Sequence, residues 1–116
     1  MQISGWGKPT DQSDSISPVL RDATVDTISN LACALEFPFN INKNNICISG
    51  KNGVSTCNGD SGGPLEYLYE DGKYRQIGIT SFGSGLGCEI GMHAAFTRVE
   101  SFLQWIETNT GIMVDP

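Results

Sequence analysis

The sequence predicts an all-β domain with one short helix midway and a longer helix at its end. Three observations lead there. Short apolar or alternating runs are separated by turn-rich loops, and the 116 residues include 14 glycines and 5 prolines. Asp71-Gly72 lies between two apolar, aromatic runs, the pattern of a hairpin turn. Only the stretch beginning at Val99 keeps apolar residues at helical spacing, at Val99, Phe102, Leu103 and Ile106.

The first strand reads from Gln2 to Trp6 and ends in Gly5-Trp6-Gly7. A polar loop, Lys8 to Ser17, follows, flanked and broken by Pro9 and Pro18. Alternation at Ala23, Val25 and Thr27 predicts a second strand over Leu20 to Ile28. Ser29 or Asn30 caps a short helix, Leu31 to Phe37, which stops before Pro38. An Asn-rich loop, Asn40 to Asn45, leads into the strand Ile46 to Ile48. Gly50 to Gly63 is a long, glycine-punctuated loop of the length that compact domains usually reserve for function. Leu65 to Tyr69 and Tyr74 to Ser81 form the hairpin. Gly83 to Gly91 is another glycine-rich loop, and Ala95 to Val99 is the last strand. The closing helix is expected to pack its stripe on the body and to stop at Asn109 and Gly111.

The length suits one domain, residues 1–116, with its own core. A net charge of −6, with only 7 scattered Lys and Arg, excludes a nucleic-acid groove and an anionic membrane as partners. No run approaches membrane-spanning length. The start, Met1 to Gly7, has neither the basic residues nor the apolar segment of a secretory signal. The four cysteines, an even count in a glycine-rich chain, favour two disulfides and an oxidising, extracellular location. Their spacing leaves three connectivities open. No C-x-x-C pair is present, so neither a metal nor a cofactor is expected. A secreted protein without a leader is expected to be incomplete at its N-terminus.

The chemistry concentrates in Cys57-Asn58-Gly59-Asp60-Ser61-Gly62-Gly63-Pro64-Leu65. Small neighbours leave a serine hydroxyl open to substrate and let backbone N–H groups converge on one spot. A serine is a weak nucleophile until a base takes its proton. Backbone donors near it, from Gly59 and Ser61, would stabilise a forming oxyanion, each by about 3–4 kcal/mol. Gly59 to Gly63 also fits G-x-S-x-G of the α/β-hydrolases. That elbow needs a helix directly after the serine, which Gly62-Gly63-Pro64 and the following apolar run deny it.

The run resembles the active-site segment of the chymotrypsin-like, trypsin-fold serine endopeptidases, with its signature G-D-S-G-G-P. The resemblance extends in order along nearly the whole chain. Ser4 to Gly7 is similar to the family's S-G-W-G strand, and Gly78 to Gly83 to its G-I-x-S-W-G strand, with Phe82 in place of tryptophan. Phe96-Thr97-Arg98-Val99 and Phe102 to Ile106 are similar to its closing Y-T-R-V strand and W-I helix. The style is closest to arthropod chymotrypsins.

This resemblance implies an antiparallel Greek-key β-barrel, the second of the family's two. It implies Ser61 as nucleophile and the Gly59 and Ser61 amides as oxyanion hole. Asp60 would pair with the amine that zymogen cleavage creates, and the disulfides would be Cys33–Cys47 and Cys57–Cys88. Ser55 matches the base of the primary specificity pocket, with Gly83 and Ala94 as walls. Ser81 and Phe82-Gly83 would hold substrate backbone as an added strand. A neutral Ser55 offers nothing to a buried substrate cation, so a large apolar or aromatic residue is expected before the cut bond. Ala94, where glycine is frequent, narrows the slot. Protein and peptide substrates and protease inhibitors are the implied partners.

The family's triad runs His, Asp, Ser, and its first two members belong to the N-terminal barrel, the further partner this chain implies. The single histidine, His93, matches a position on the pocket rim, away from where the base belongs. The 116 residues alone are therefore expected to be inactive, with Asp60 lacking its partner. The alternative reading is a non-catalytic homologue that binds peptides or inhibitors.

Overall fold

A computed structural model describes residues 1–50, 53–83, 87–89 and 91–113. Parts of the predicted loops at 51–52, 84–86 and 90 lie outside these. The described residues form strands β1 (Gln2–Gly5), β2 (Arg21–Thr24), β3 (Thr27–Ile28), β4 (Asn45–Ile48), β5 (Pro64–Leu68), β6 (Tyr74–Gly83) and β7 (Ala94–Arg98). Helix α1 (Asn30–Glu36) lies between β3 and β4, and α2 (Leu103–Thr110) follows a 3-10 turn at Val99–Phe102.

All strand pairs are antiparallel, in the order β2-β1-β5-β6-β7-β4-β3. The two outer strands belong to one segment, Arg21 to Ile28, interrupted only by Val25 and Asp26. Val25 N–H donates to Met1 O at 2.9 Å, and Ser49 N–H donates to Asp26 O at 2.8 Å. The sheet thus curls until its edges meet in one bent strand, leaving no open edge. The predicted strand over Leu20 to Ile28 holds in kind. It is split because its two ends must pair with β1 and β4 on opposite sides of the closure.

β1, the bent strand and β4 are successive neighbours, and β5 returns by a long connection to lie beside β1. This is a Greek key, and the return connection is the segment that carries Ser61.

Inside the barrel pack Ile3, Val25, Ile46, Ile48, Leu65, Ala94 and Phe96. Gly78 lets β6 approach this core, since a Cβ there would press on Leu65 and Phe96 side chains at 3.1–3.2 Å. A smaller cluster of Cys33, Cys47 and Ala95, with Phe37 and Phe82 against it, fastens α1 to the barrel. Cys33 and Cys47 are bonded there. Closing a loop of this length contributes about 3 kcal/mol by chain entropy. Ser29 is the N-cap of α1 and its hydroxyl accepts from Ala32 N–H at 3.1 Å.

The end of the chain departs from expectation. The first turn, from Val99, is 3-10 and not α, and Gly111 closes α2 in the left-handed region at φ 73°. No residue of α2 is buried; Phe102 keeps 40% of its surface exposed, so the apolar stripe is only half covered. With three residues per turn, the 3-10 segment turns Val99 out of line with the residues that follow. No helix among the described residues is long and apolar enough to cross a membrane.

Candidate active site

The loop from Ser49 to Gly63 is stitched to the strand beside it. Asp60 N–H donates to Cys57 O and Gly63 N–H to Asp60 O, both at 3.0 Å. Gly62 N–H donates to Thr80 O at 2.9 Å, and Thr80 N–H to Gly63 O at 2.8 Å. Gly59 and Gly62 take φ of 96° and 84°, which side chains rarely adopt. The turn they permit sends two adjacent side chains to opposite sides.

Asp60 points inward. Its Oδ1 accepts from Gly7 N–H and its Oδ2 from Cys57 N–H, both at 2.8 Å. A Cβ at Gly5 or Gly7 would overlap this carboxylate, which is the physical reason for glycine on either side of Trp6. The sequence reading left Asp60 without an ammonium partner and did not foresee the amides that hold it. Two backbone amides 53 and 3 residues away satisfy it. It lines a cavity of about 260 Å³ together with Ile3, Ala23, Val54, Lys8 and Arg21.

Ser61 is exposed and faces a second cavity, of about 140 Å³. Ser55, Ser81, Phe82 and Gly83 line it with Ser61, so five residues singled out from sequence meet in one cleft. Ser81 is placed by an irregularity: β6 pairs Thr80 with Phe96 and Phe82 with Ala95, leaving Ser81 as the extra residue of a bulge. Bulges re-aim side chains beside sites in this way. Ala94 does not line the cleft. It is buried behind Gly83, its Cβ 3.8 Å from where a Gly83 Cβ would stand.

The disulfide Cys57–Cys88 joins the Ser61 loop to the opposite wall. Asp11 reinforces it by accepting from Cys88 N–H at 2.6 Å and Glu89 N–H at 3.0 Å, while Asp11 N–H donates to Glu89 Oε1 at 2.5 Å. The Cys88 amide, then the Glu89 amide and more weakly Lys8, hold the Asp11 carboxyl below its ordinary range. A carboxyl depressed in the folded state stabilises above its unfolded value, and the contribution is lost as pH falls through the folded value. Acidification below about pH 4 is therefore expected to free the Cys88 and Glu89 amides. A fall in the protection of these two amides relative to their intrinsic exchange rate at each pH, absent from Asp11→Ala because they are already unprotected there, checks this.

His93 lines the Ser61 cleft, as its predicted rim position implies. Its ring partners are Gly50 and Glu36, not Ser61. Sequence reasoning missed Met92 and Thr80 on the same lining, and the Asp11–Glu89 clamp. Met92 is legible only as the neighbour of His93. The clamp joins residues 78 apart, which no local pattern signals.

Comparison with known proteins places this geometry. The trypsin family model matches residues 1–106. Brachyurin of Leptuca pugilator is 49% identical over 109 residues, covering 94% of this chain and 46% of that protein. Collagenase of Hypoderma lineatum is 42% identical over 112 residues, covering 96% of this chain and 40% of its own. Chymotrypsin-C of Rattus norvegicus is 37% identical over 107 residues, 90% of this chain and 40% of its own. A solved HL collagenase structure superposes with a TM-score of 0.80 at 39% identity, covering 97% of this chain and 46% of that one. The chain thus spans less than half the length of these relatives. A closed antiparallel barrel, a serine presented on its Greek-key return loop and a family match over nearly all its residues lead to one conclusion: the chain belongs to the trypsin family of serine proteases.

Proposed function

We propose that residues 1–116 are the second barrel of a secreted, chymotrypsin-like serine endopeptidase that needs a first barrel to act. The observation that carries this is the opposed placement of Ser61 and Asp60. Ser61 opens on a cleft with Ser55, and Asp60 turns into a separate cavity behind it.

Ser61 Oγ attacks the carbonyl carbon of the cut bond, and the carbonyl electrons move onto oxygen. The Gly59 and Ser61 amides stabilise that oxyanion. The proton from Ser61 passes to a histidine oriented by an aspartate, both from the first barrel. The relatives' greater length leaves room for these groups, and the ring partners of His93 leave it no part in this step. Collapse of the intermediate forms the acyl-Ser61 ester and releases the amine, which takes the proton. Water then repeats the sequence to free the acid.

The cavity around Asp60 is suited to the amine of a newly cleaved N-terminus, which would replace the Gly7 and Cys57 amides as its main partner. Neutral Ser55 and the small Gly83 favour a large apolar or aromatic residue before the cut bond, with buried Ala94 limiting the depth behind Gly83. Ser81, Phe82 and Gly83 pair with substrate backbone. Proteins, peptides and protease inhibitors are the partners, and the two disulfides fit an extracellular setting.

Labelling with a fluorophosphonate tests the proposal. The 116-residue chain alone is expected to leave Ser61 unlabelled at neutral pH. Stoichiometric labelling is expected once a His- and Asp-bearing first barrel is supplied and its N-terminus freed. Persistent failure under the second condition would favour a non-catalytic binding module.

A further inference from the structure

The proposed reaction makes no use of the His93 ring, which lines the Ser61 cleft. His93 lines that cleft beside Met92, yet both ring nitrogens engage the body of the fold. Nδ1 accepts from Gly50 N–H at 3.3 Å. Nε2 lies 3.4 Å from Glu36 Oε1, and Glu36 Oε2 accepts the His93 backbone N–H at 2.8 Å. A ring nitrogen that accepts carries no proton, so the neutral ring bears its proton on Nε2, toward the carboxylate. The His93 and Glu36 side chains are only 21% and 22% exposed, which shields this contact from the screening that weakens surface pairs.

The covalent frame holds the same arrangement. Glu36 stands three residues after Cys33, and Gly50 three after Cys47, so the Cys33–Cys47 bond sets the carboxylate and the amide on either side of the ring. There is little slack, because a Cβ at Gly50 would run into the Met92 carbonyl. Phe37, next to Glu36, meets the cleft residue Phe82 edge-on with ring centres 5.3 Å apart.

We infer that His93 is a positioning residue of the cleft: held as the Nε2–H tautomer between Glu36 and Gly50, it fixes the spacing between the loop leading to Ser55 and the segment bearing Met92. This rests on the reading of the cleft as the primary specificity pocket.

His93 is the only histidine in the sequence, so ¹⁵N-imidazole NMR of the 116-residue chain reads it directly. At pH 8 a single Nε2–H tautomer is expected. Glu36→Ala is expected to average the tautomers and speed exchange of the Gly50 and His93 amides by about tenfold, the effect of one lost hydrogen bond. Ile3 and Ala23 amides, across the barrel, should keep their rates. His93→Gln, which retains a donor toward Glu36, should exchange more slowly at these amides than His93→Ala. Indole, used as the aromatic probe, should shift Ser55 and Met92 resonances and bind more weakly to Glu36→Ala. An Nδ1–H or averaging ring in the unaltered chain overturns the inference. So does equal acceleration at Ile3 and Gly50, because the strut would then serve only global stability. An Nε2–H ring with no indole-dependent shift overturns the pocket reading, and with it the assignment of His93 to that pocket.

Discussion

Ser61→Ala is expected to lower kcat by about 10⁶-fold in the proposed two-barrel protease, with KM changed only a few-fold. The asymmetry follows from where the hydroxyl sits. It is exposed at the mouth of the cleft, while the walls that would grip substrate come from Ser55, Ser81, Phe82 and Gly83. Removing it deletes the proposed nucleophile and leaves those walls unchanged. Stability should move by no more than about 0.5 kcal/mol, as for other exposed substitutions away from caps and networks. Steady-state kinetics on a peptide anilide, with a urea titration of the same preparation, measure both. A KM that rises in step with the fall in kcat would mean that Ser61 mainly binds substrate.

Phe96→Ala is expected to have the largest effect on folding, a loss of about 3–5 kcal/mol. Phe96 is 0% exposed and lies on β7, paired to β4 and β6 on either side. Its partner on β6 is Thr80, and Gly78, two residues before Thr80, leaves room beside it, since a Cβ there would stand 3.2 Å from the Phe96 Cβ. Alanine leaves a void that backbone bonded on both sides cannot close. Since domains of this size are stable by only about 5–15 kcal/mol, the variant should be largely unfolded at modest denaturant concentrations. Chemical unfolding followed by tryptophan fluorescence would measure the shift in midpoint. A shift equivalent to less than about 1 kcal/mol would mean that the core collapses into the void.

What the sequence made legible was what short-range chemistry dictates. Asp71-Gly72 foretold the hairpin, and Gly72 does take φ 80° there. Ser29 foretold its own cap, and the apolar runs foretold the strands. The resemblance supplied both disulfides and five of the residues that line the cleft, though not Met92 or Thr80, and it placed Ala94 there wrongly. What stayed hidden depends on groups far apart in the chain. The break at Val25 and Asp26 exists only because the barrel closes through that segment. The Ser81 bulge depends on a registry with β7, and the Glu36–His93 contact spans 57 residues. The partners of Asp60 were missed because backbone amides leave no trace in a side-chain pattern.

The strip Ser55-Thr56-Cys57, with Cys88, borders both cavities, one on each face. A movement of these shared residues for one occupant is a movement in the wall of the other cavity. A group that binds beside Asp60 and favours one position of the strip alters the affinity of any cleft ligand that also distinguishes the two positions. Thermodynamic reciprocity then requires the converse by the same factor. A ligand for the cleft should accordingly change the midpoint at which a dipeptide amine binds at the site proposed beside Asp60, by a ratio that can be measured from either side.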